Sequence, residues 1–213
     1  MQNCVQLEFE GVCMLTIQDD MNSYLAFSHY IDGDEPSVQR KAKELKESTG
    51  CEMELAKATY YFVRDEIKHS WDVQNKRVTV TASEVLRAGV GICWAKANLL
   101  AALLRVNGIP CGICYQRLTL GDTPETGYCI HALNAIYLKS IAKWIRIDAR
   151  GNKNGIRADF SIDEECLAFS IRKEYDEIDY KIVYSEPLPK TMDILENSTD
   201  ALYMYLHSLP ERI

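Results

Sequence analysis

The sequence predicts an α+β fold in which a long, buried central helix packs on an antiparallel β-sheet. Two observations carry this expectation. Apolar residues recur at helical spacing as far as Pro110, and from Cys111 onward they gather into short runs rich in β-branched and aromatic side chains. The most apolar helical stretch lies within Gly89–Pro110, framed by glycines, with Cys93 in its first turn.

Taken in order, Cys4–Ile17 alternates weakly at Val5, Leu7, Phe9, Val12 and Met14, which suits an edge hairpin turning near Glu10-Gly11. Asp34-Glu35-Pro36 opens a helix with acids at its start and proline in its first turn. Val38, Ala42 and Leu45 mark its buried side, and Gly50 stops it. A second helix buries Leu55, Ala58, Thr59, Phe62, Val63 and Ile67 and shows Lys57, Arg64 and Lys68 to water. His69, just past its end, is expected in solvent near the negative pole. Thr81-Ala82-Ser83-Glu84 has the spacing of a capping box, so a short helix should run to Gly89.

In the central helix Ala97, Leu100, Ala101 and Leu104 repeat at three- and four-residue spacing, and Leu99 and Leu103 widen the stripe, which buries most of the circumference. Gly108 supplies a left-handed terminator and Pro110 prevents resumption. Three strands are then expected at Cys111–Leu120, Tyr128–Leu138 and Trp144–Ala149, with Gly121–Pro124 between the first two and a hairpin turn within Lys139–Lys143. Tyr180–Tyr184 forms a fourth strand, and helices around Met192 and Leu195 and at Ala201–Leu206 close the chain.

A chain of 213 residues with 47% hydrophobic content can bury a full core. It is expected to form one domain over residues 1–213, its core about 52–156, with the N-terminal hairpin and helix and the C-terminal strand and helices as extensions. A net charge of −7 with interleaved lysines and arginines argues against nucleic acid. No run approaches the length of a membrane span, and MQNCVQLEFEGV has no basic segment followed by an apolar one, so a soluble, unprocessed chain without a membrane partner is expected. The eight cysteines follow no disulfide framework and are read as reduced thiols of a cytoplasm. Cys111-x-x-Cys114 has no partner pair to complete four ligands, the acids of Asp159–Glu165 and Glu174–Asp179 suit a solvated face, and neither a metal nor a cofactor is expected.

Chemistry points to three residues. At the head of a helix, unpaired amides and the positive dipole end favour thiolate over thiol, so Cys93 is a candidate nucleophile. A thiol nucleophile needs a base within reach and a group that orients the base. His131 shares a strand face with Leu133, Ala135 and Tyr137, and Asp148 shares one with Trp144 and Arg146. Paired antiparallel, one register sets His131 directly opposite Asp148 across the loop Lys139-Ser140, and another sets them diagonal on one face. A slip by a single residue would part them to opposite faces.

At this point the chain resembles a family. G-x-C-x-x-x-A-x-x-L-x-x-L-L-R-x-x-G-I-P at Gly91–Pro110, the strand with His131, and W-I-R-I-D at Trp144–Asp148 are similar to the transglutaminase-like cysteine enzymes, a branch of the papain-like fold. ASEVL at Ala82–Leu86, CYQRL at Cys114–Leu118 and DARGNK at Asp148–Lys153 resemble a group of small bacterial transglutaminase-like proteins. The resemblance implies Cys93 as nucleophile, His131 as base and then acid, and Asp148 as orienter, in a thioester route on amide bonds of peptides or proteins. It leaves protease, amidase and crosslinking enzyme open, and offers Trp71 or Gln116 as a second oxyanion donor beside the Cys93 amide. Many members carry an aromatic soon after the histidine, where this chain has Ala132-Leu133. The alternative is a catalytically silent papain-like scaffold that binds a peptide. An arylamine-type acetyltransferase would need an acyl-coenzyme A pocket, for which the sequence has no motif.

Overall fold

The computed structural model describes residues 15–213. The expected N-terminal hairpin lies mostly outside this range. Its last residues, Thr16–Ile17 (β1), form a short strand. Helices α1 (Pro36–Glu47) and α2 (Glu52–Tyr61) follow where the periodicity places them. The end of α2 widens into a π turn at Phe62–Glu66, and the chain leaves it extended through Ile67 into β2 (Lys68–His69). Next come α3 (Ala82–Ala88), β3 (Val90–Gly91) and the central helix α4 (Cys93–Val106). Strands β4 (Cys111–Thr119), β5 (Tyr128–Leu138), β6 (Lys143–Ile147) and β7 (Ile178–Tyr184) precede α5 (Pro189–Glu196) and α6 (Ala201–His207).

The larger sheet has the order β1-β7-β4-β5-β6, antiparallel except where β1 runs parallel to β7. Alternation divides its side chains. Cys111, Ile113, Tyr115, Ile130, Ala132 and Ile136 join the main core with α4, whereas Cys114, Leu133, Ala135 and Val183 pack with Tyr24 on the other face. Cys111 and Cys114 therefore point to opposite faces, as strand spacing requires. Helix α4 is buried on nearly its whole circumference, from Trp94 to Arg105. Trp94 anchors its start by donating from Nε1 to the Ile130 carbonyl at 2.8 Å. Among the described residues no helix is long and apolar enough to cross a membrane.

The turns behave as their residues dictate. The capping box of α3 is complete, with Glu84 N–H donating to Thr81 Oγ1 and the Thr81 N–H donating to Glu84 Oε2. Gly89 closes the helix at φ +65°, and Gly108 ends the turn after α4 at φ +77°.

Of the acids expected to face solvent, Asp163, Glu164, Glu165, Glu174 and Asp176 are exposed, whereas Asp179 is half-buried and Glu177 is buried. Arg146 is buried on β6, and its guanidinium is gripped by Glu165 at 2.6 and 2.7 Å and by Asp179 at 2.5 and 2.9 Å. Glu177 is buried too, bound by Arg172 and Thr119. A buried cation must keep its counter-charges, and Asp179 and the exposed Glu165 supply them to Arg146. Arg146 thereby ties β6 to β7 and to the loop before it. Arg146→Ala is expected to lower unfolding stability by about 1–2 kcal/mol, because it leaves the half-buried Asp179 with Lys181 as its remaining cation while Glu165 turns to water. The measurement is the urea midpoint at unchanged slope, and a loss within experimental error would show that water serves the acids as well as the guanidinium does.

Candidate active site

Cys93 is the first residue of α4, entered from extended Ile92. The first amides of a helix have no intrahelical acceptor, so this end of α4 offers N–H groups to an anion. Gly91 lets the entry segment pack closely: a Cβ there would stand 3.0 Å from Thr79 Oγ1 and 3.4 Å from the Ala95 methyl. Cys93 itself is half-buried and lines a cleft of about 820 Å³.

His131 lines the same cleft from β5. The β5–β6 register sets Asn134 opposite Ile147 and Leu138 opposite Lys143, so His131 and Asp148 are diagonal neighbours and not a direct pair. The loop is correspondingly longer, Lys139–Ala142, with Ala142 left-handed at φ +49°. The diagonal still closes, with His131 Nε2 lying 2.8 Å from Asp148 Oδ2. Asp148, just past the end of β6, is fully buried and also accepts from the Arg150 N–H at 3.0 Å and the Ala168 N–H at 3.1 Å. With Nε2 engaged by the carboxylate, Nδ1 is the nitrogen left to face Cys93, which lines the same cleft and acts electrostatically on the ring.

The electrostatics of this pair follow from burial and contact. Burial alone would push the His131 pKa down, but the Asp148 carboxylate, and after it Cys93, raise it to about 10. Burial alone would push Asp148 up, and His131 with the two backbone N–H donors holds it below the ordinary carboxylate range. Elsewhere burial pushes the Cys111 and Cys129 thiols up to about 12, and Cys114 up as well. The six cysteines of the described residues are free thiols.

Other expectations resolve differently. His69 is not solvated: it is buried and lines the cleft, because the chain after the π turn pairs in parallel with β3, His69 opposite Gly91. Trp71 is half-buried at the cleft, its ring stacked on Tyr205 of α6 at 4.5 Å and 17°. Gln116 sits directly opposite His131 on β4, sealed in the sheet with Oε1 unpartnered. Cys129, two residues before His131 on β5 and therefore on the same face, lines the cleft too.

Three contributors are almost unmarked in the sequence. Phe169 approaches His131 edge to face at 5.1 Å and 82°, supplying from a loop the aromatic that Ala132-Leu133 do not. Tyr205 reaches the cleft from α6. Lys96, one turn past Cys93, is buried and donates to the carbonyls of Arg64, Ile67 and Arg150. Burial, with Arg150 beside it, lowers its pKa to about 7. A lone lysine inside an apolar helical stripe was the one available hint. Among the described residues no group of three or more His, Cys, Asp or Glu side chains is placed to hold a metal ion.

A cysteine at a helix head and a histidine across from it thus line one cleft, with a carboxylate buried behind the histidine. The model of the transglutaminase-like superfamily matches residues 39–149, just over half of the 213, and the chain belongs to this superfamily. Similar solved structures include a candidate cysteine protease from Cytophaga hutchinsonii, at 21% identity and TM-score 0.49, covering 62% of this chain and 43% of that one. The periplasmic domain of TgpA from Pseudomonas aeruginosa matches at 18% identity and TM-score 0.45, covering 62% of this chain and 48% of that one. This chain thus matches less than half the length of either neighbour. No curated protein matches the chain.

The pKa directions set a pH window. A histidine raised above its unfolded value of about 6.5 contributes stability that is complete below that pH and is lost as the pH rises toward about 10. A depressed aspartate contributes stability that is complete above its unfolded value of about 3.9 and is lost as the pH falls through its lower folded value. Denaturation between about pH 5 and about pH 10 should therefore show a stability decline above neutrality that is much smaller in Asp148→Asn. Parallel profiles for the two proteins would mean that the carboxylate does not hold the proton on His131.

Proposed function

We propose that the chain is a thiol-dependent acyl-transfer enzyme acting on amide bonds of peptides or proteins, with Cys93 as nucleophile, His131 as base and then acid, and Asp148 as the group that orients His131. The observation that carries this reading is the contact of His131 Nε2 with a fully buried Asp148 at 2.8 Å, on a ring that lines the same cleft as Cys93. A peptide-binding scaffold would gain nothing from a buried carboxylate whose hydrogen bonds fix one imidazole beside a thiol.

In the proposed route the sulfur of Cys93 forms a bond to the amide carbon while the carbonyl π pair moves onto oxygen. The proton of the thiol resides on His131. The resulting oxyanion meets the Cys93 amide at the head of α4. His131 delivers its proton to the departing nitrogen as the C–N bond breaks, leaving a thioester. Water then gives hydrolysis, or a primary amine gives transfer, with His131 taking the acceptor's proton.

Iodoacetamide labelling near neutral pH, followed by peptide mass mapping, tests the nucleophile. Cys93 is expected to react fastest, ahead of the exposed Cys51, and His131→Ala is expected to remove that lead. Labelling of Cys93 and Cys51 at equal rates, unchanged in His131→Ala, would favour the silent scaffold. Incubation with glutamine-containing peptides, with and without a primary amine, separates the outcomes: incorporated amine indicates transfer, whereas ammonia or new peptide termini indicate hydrolysis. Cys93→Ala should abolish either product, and Asp148→Asn should cut turnover by roughly 10²- to 10⁴-fold.

A further inference from the structure

The cleft holds a second histidine that the route above does not use. His69 is 5% exposed, and its Nδ1 is buried with no hydrogen-bond partner. A buried donor in a folded protein is nearly always paired, so the orphaned Nδ1 constrains which ring nitrogen carries the proton. An N–H on Nδ1 would be sealed without an acceptor. The tautomer with its proton on Nε2 avoids that and turns the N–H to the edge of the ring that the cleft can reach. Tyr205 approaches the ring at 88° with centroids 6.3 Å apart.

Position is fixed as firmly as chemistry. His69 pairs with Gly91 in the β2–β3 ladder, and the next residue, Ser70, donates its N–H to the Gly91 carbonyl at 3.1 Å. Gly91 stands two residues before Cys93. The Ile67 carbonyl, on the other side, is held by Lys96 of α4. The ring is thus locked to the same short segment that presents the sulfur and the helix-head amides.

The charge state is settled by what surrounds the ring. Burial first, then Arg150, Lys96 and His131, push its pKa well below the ordinary histidine range, and Asp72 opposes them only in part because Arg150 and Lys153 already hold that carboxylate. A neutral imidazole can give a hydrogen bond without giving up a proton.

We propose that His69 is a hydrogen-bond donor to the carbonyl oxygen of the acyl substrate, acting beside the Cys93 amide as that oxygen becomes an oxyanion. The inference rests on the acyl-transfer reading of Cys93 and His131. In the step it serves, the C–S bond forms and the π pair moves to oxygen, and the His69 proton stays on His69 throughout. A neutral donor is suited to this because its hydrogen bond strengthens only as charge develops on the oxygen. Of the donors expected from the sequence, Gln116 is sealed away from the cleft, and the Trp71 ring lies against Tyr205.

Two probes of Cys93 separate this role from a structural one. Alkylation by iodoacetamide passes through no oxyanion, whereas acylation by p-nitrophenyl acetate does. His69→Phe keeps a ring without a donor and should lower the rate of nitrophenolate release by about 10²-fold while leaving Cys93 alkylation near the wild-type rate. His69→Gln, which restores an N–H, should recover acylation to within about tenfold of wild type. Loss of both rates together in His69→Phe, loss of neither, or a loss of acylation confined to Trp71→Phe would overturn the proposal. So would a wild type whose alkylation depends on His131 but which is not acylated. A wild type without His131-dependent alkylation would instead remove the thiol reading itself, and the inference with it.

Discussion

The rest of the site depends on one buried charge, the carboxylate of Asp148. An ionised group taken fully out of water costs several kcal/mol unless donors replace its hydration. Its donors come from three separate places: the imidazole of His131 on β5, the Arg150 amide in the turn beyond β6, and the Ala168 amide in the loop that follows. None of the three can be satisfied alone. The β5–β6 register, the turn and the loop must therefore close together, and the loop is held to the sheet a second time where Glu165 meets Arg146. Phe169 follows Ala168 directly, so the same closure delivers the ring that covers His131.

Lys96 poses the same problem with the opposite sign and is solved by carbonyls. The Arg150 residue joins the two solutions. Its N–H is taken by Asp148 and its C=O by Lys96, while its guanidinium is held by Asp72 at 2.6 and 3.0 Å. A single residue is thus gripped at both ends of its backbone and at its tip. Through it the helix that carries Cys93, the strand end that carries Asp148 and the segment that carries His69 share one fastening. Rigid support of this kind is what holds reacting groups to a working geometry.

Local rules made much of this legible. Strand alternation alone put His131 and Asp148 on one face for any register of the right parity, and the capping box, the glycines around Cys93 and the apolar stripe of α4 each mark structure within a few residues of themselves. What local rules miss is burial imposed from a distance. His69 follows a helix end, where solvent is the ordinary expectation, yet its fate is decided by a two-residue strand more than a helix away, whose sequence, Val90-Gly91, carries no period. Phe169 lies in a loop without periodicity. Glu165, Glu177 and Asp179 look like a solvated acidic run because nothing in the run itself reveals that Arg146 and Arg172 reach them.

The two histidines of the cleft show how environment divides one side-chain type between two states. His131 has a buried carboxylate on one nitrogen, and that carboxylate first and Cys93 after it raise its pKa to about 10. His69 faces Arg150, Lys96 and His131 itself, with the nearest carboxylate, Asp72, already committed, and its pKa falls. Each arrangement reinforces the other, because a proton held on His131 makes a second one on His69 more costly. Titratable groups driven apart in this way suit the division of labour in the proposed route, where one carries the proton that moves and the other keeps its own and offers only a hydrogen bond. Exchanging their surroundings would exchange those capacities, so the decisive residues are Asp148 and Arg150, placed two apart and bound to each other through the backbone.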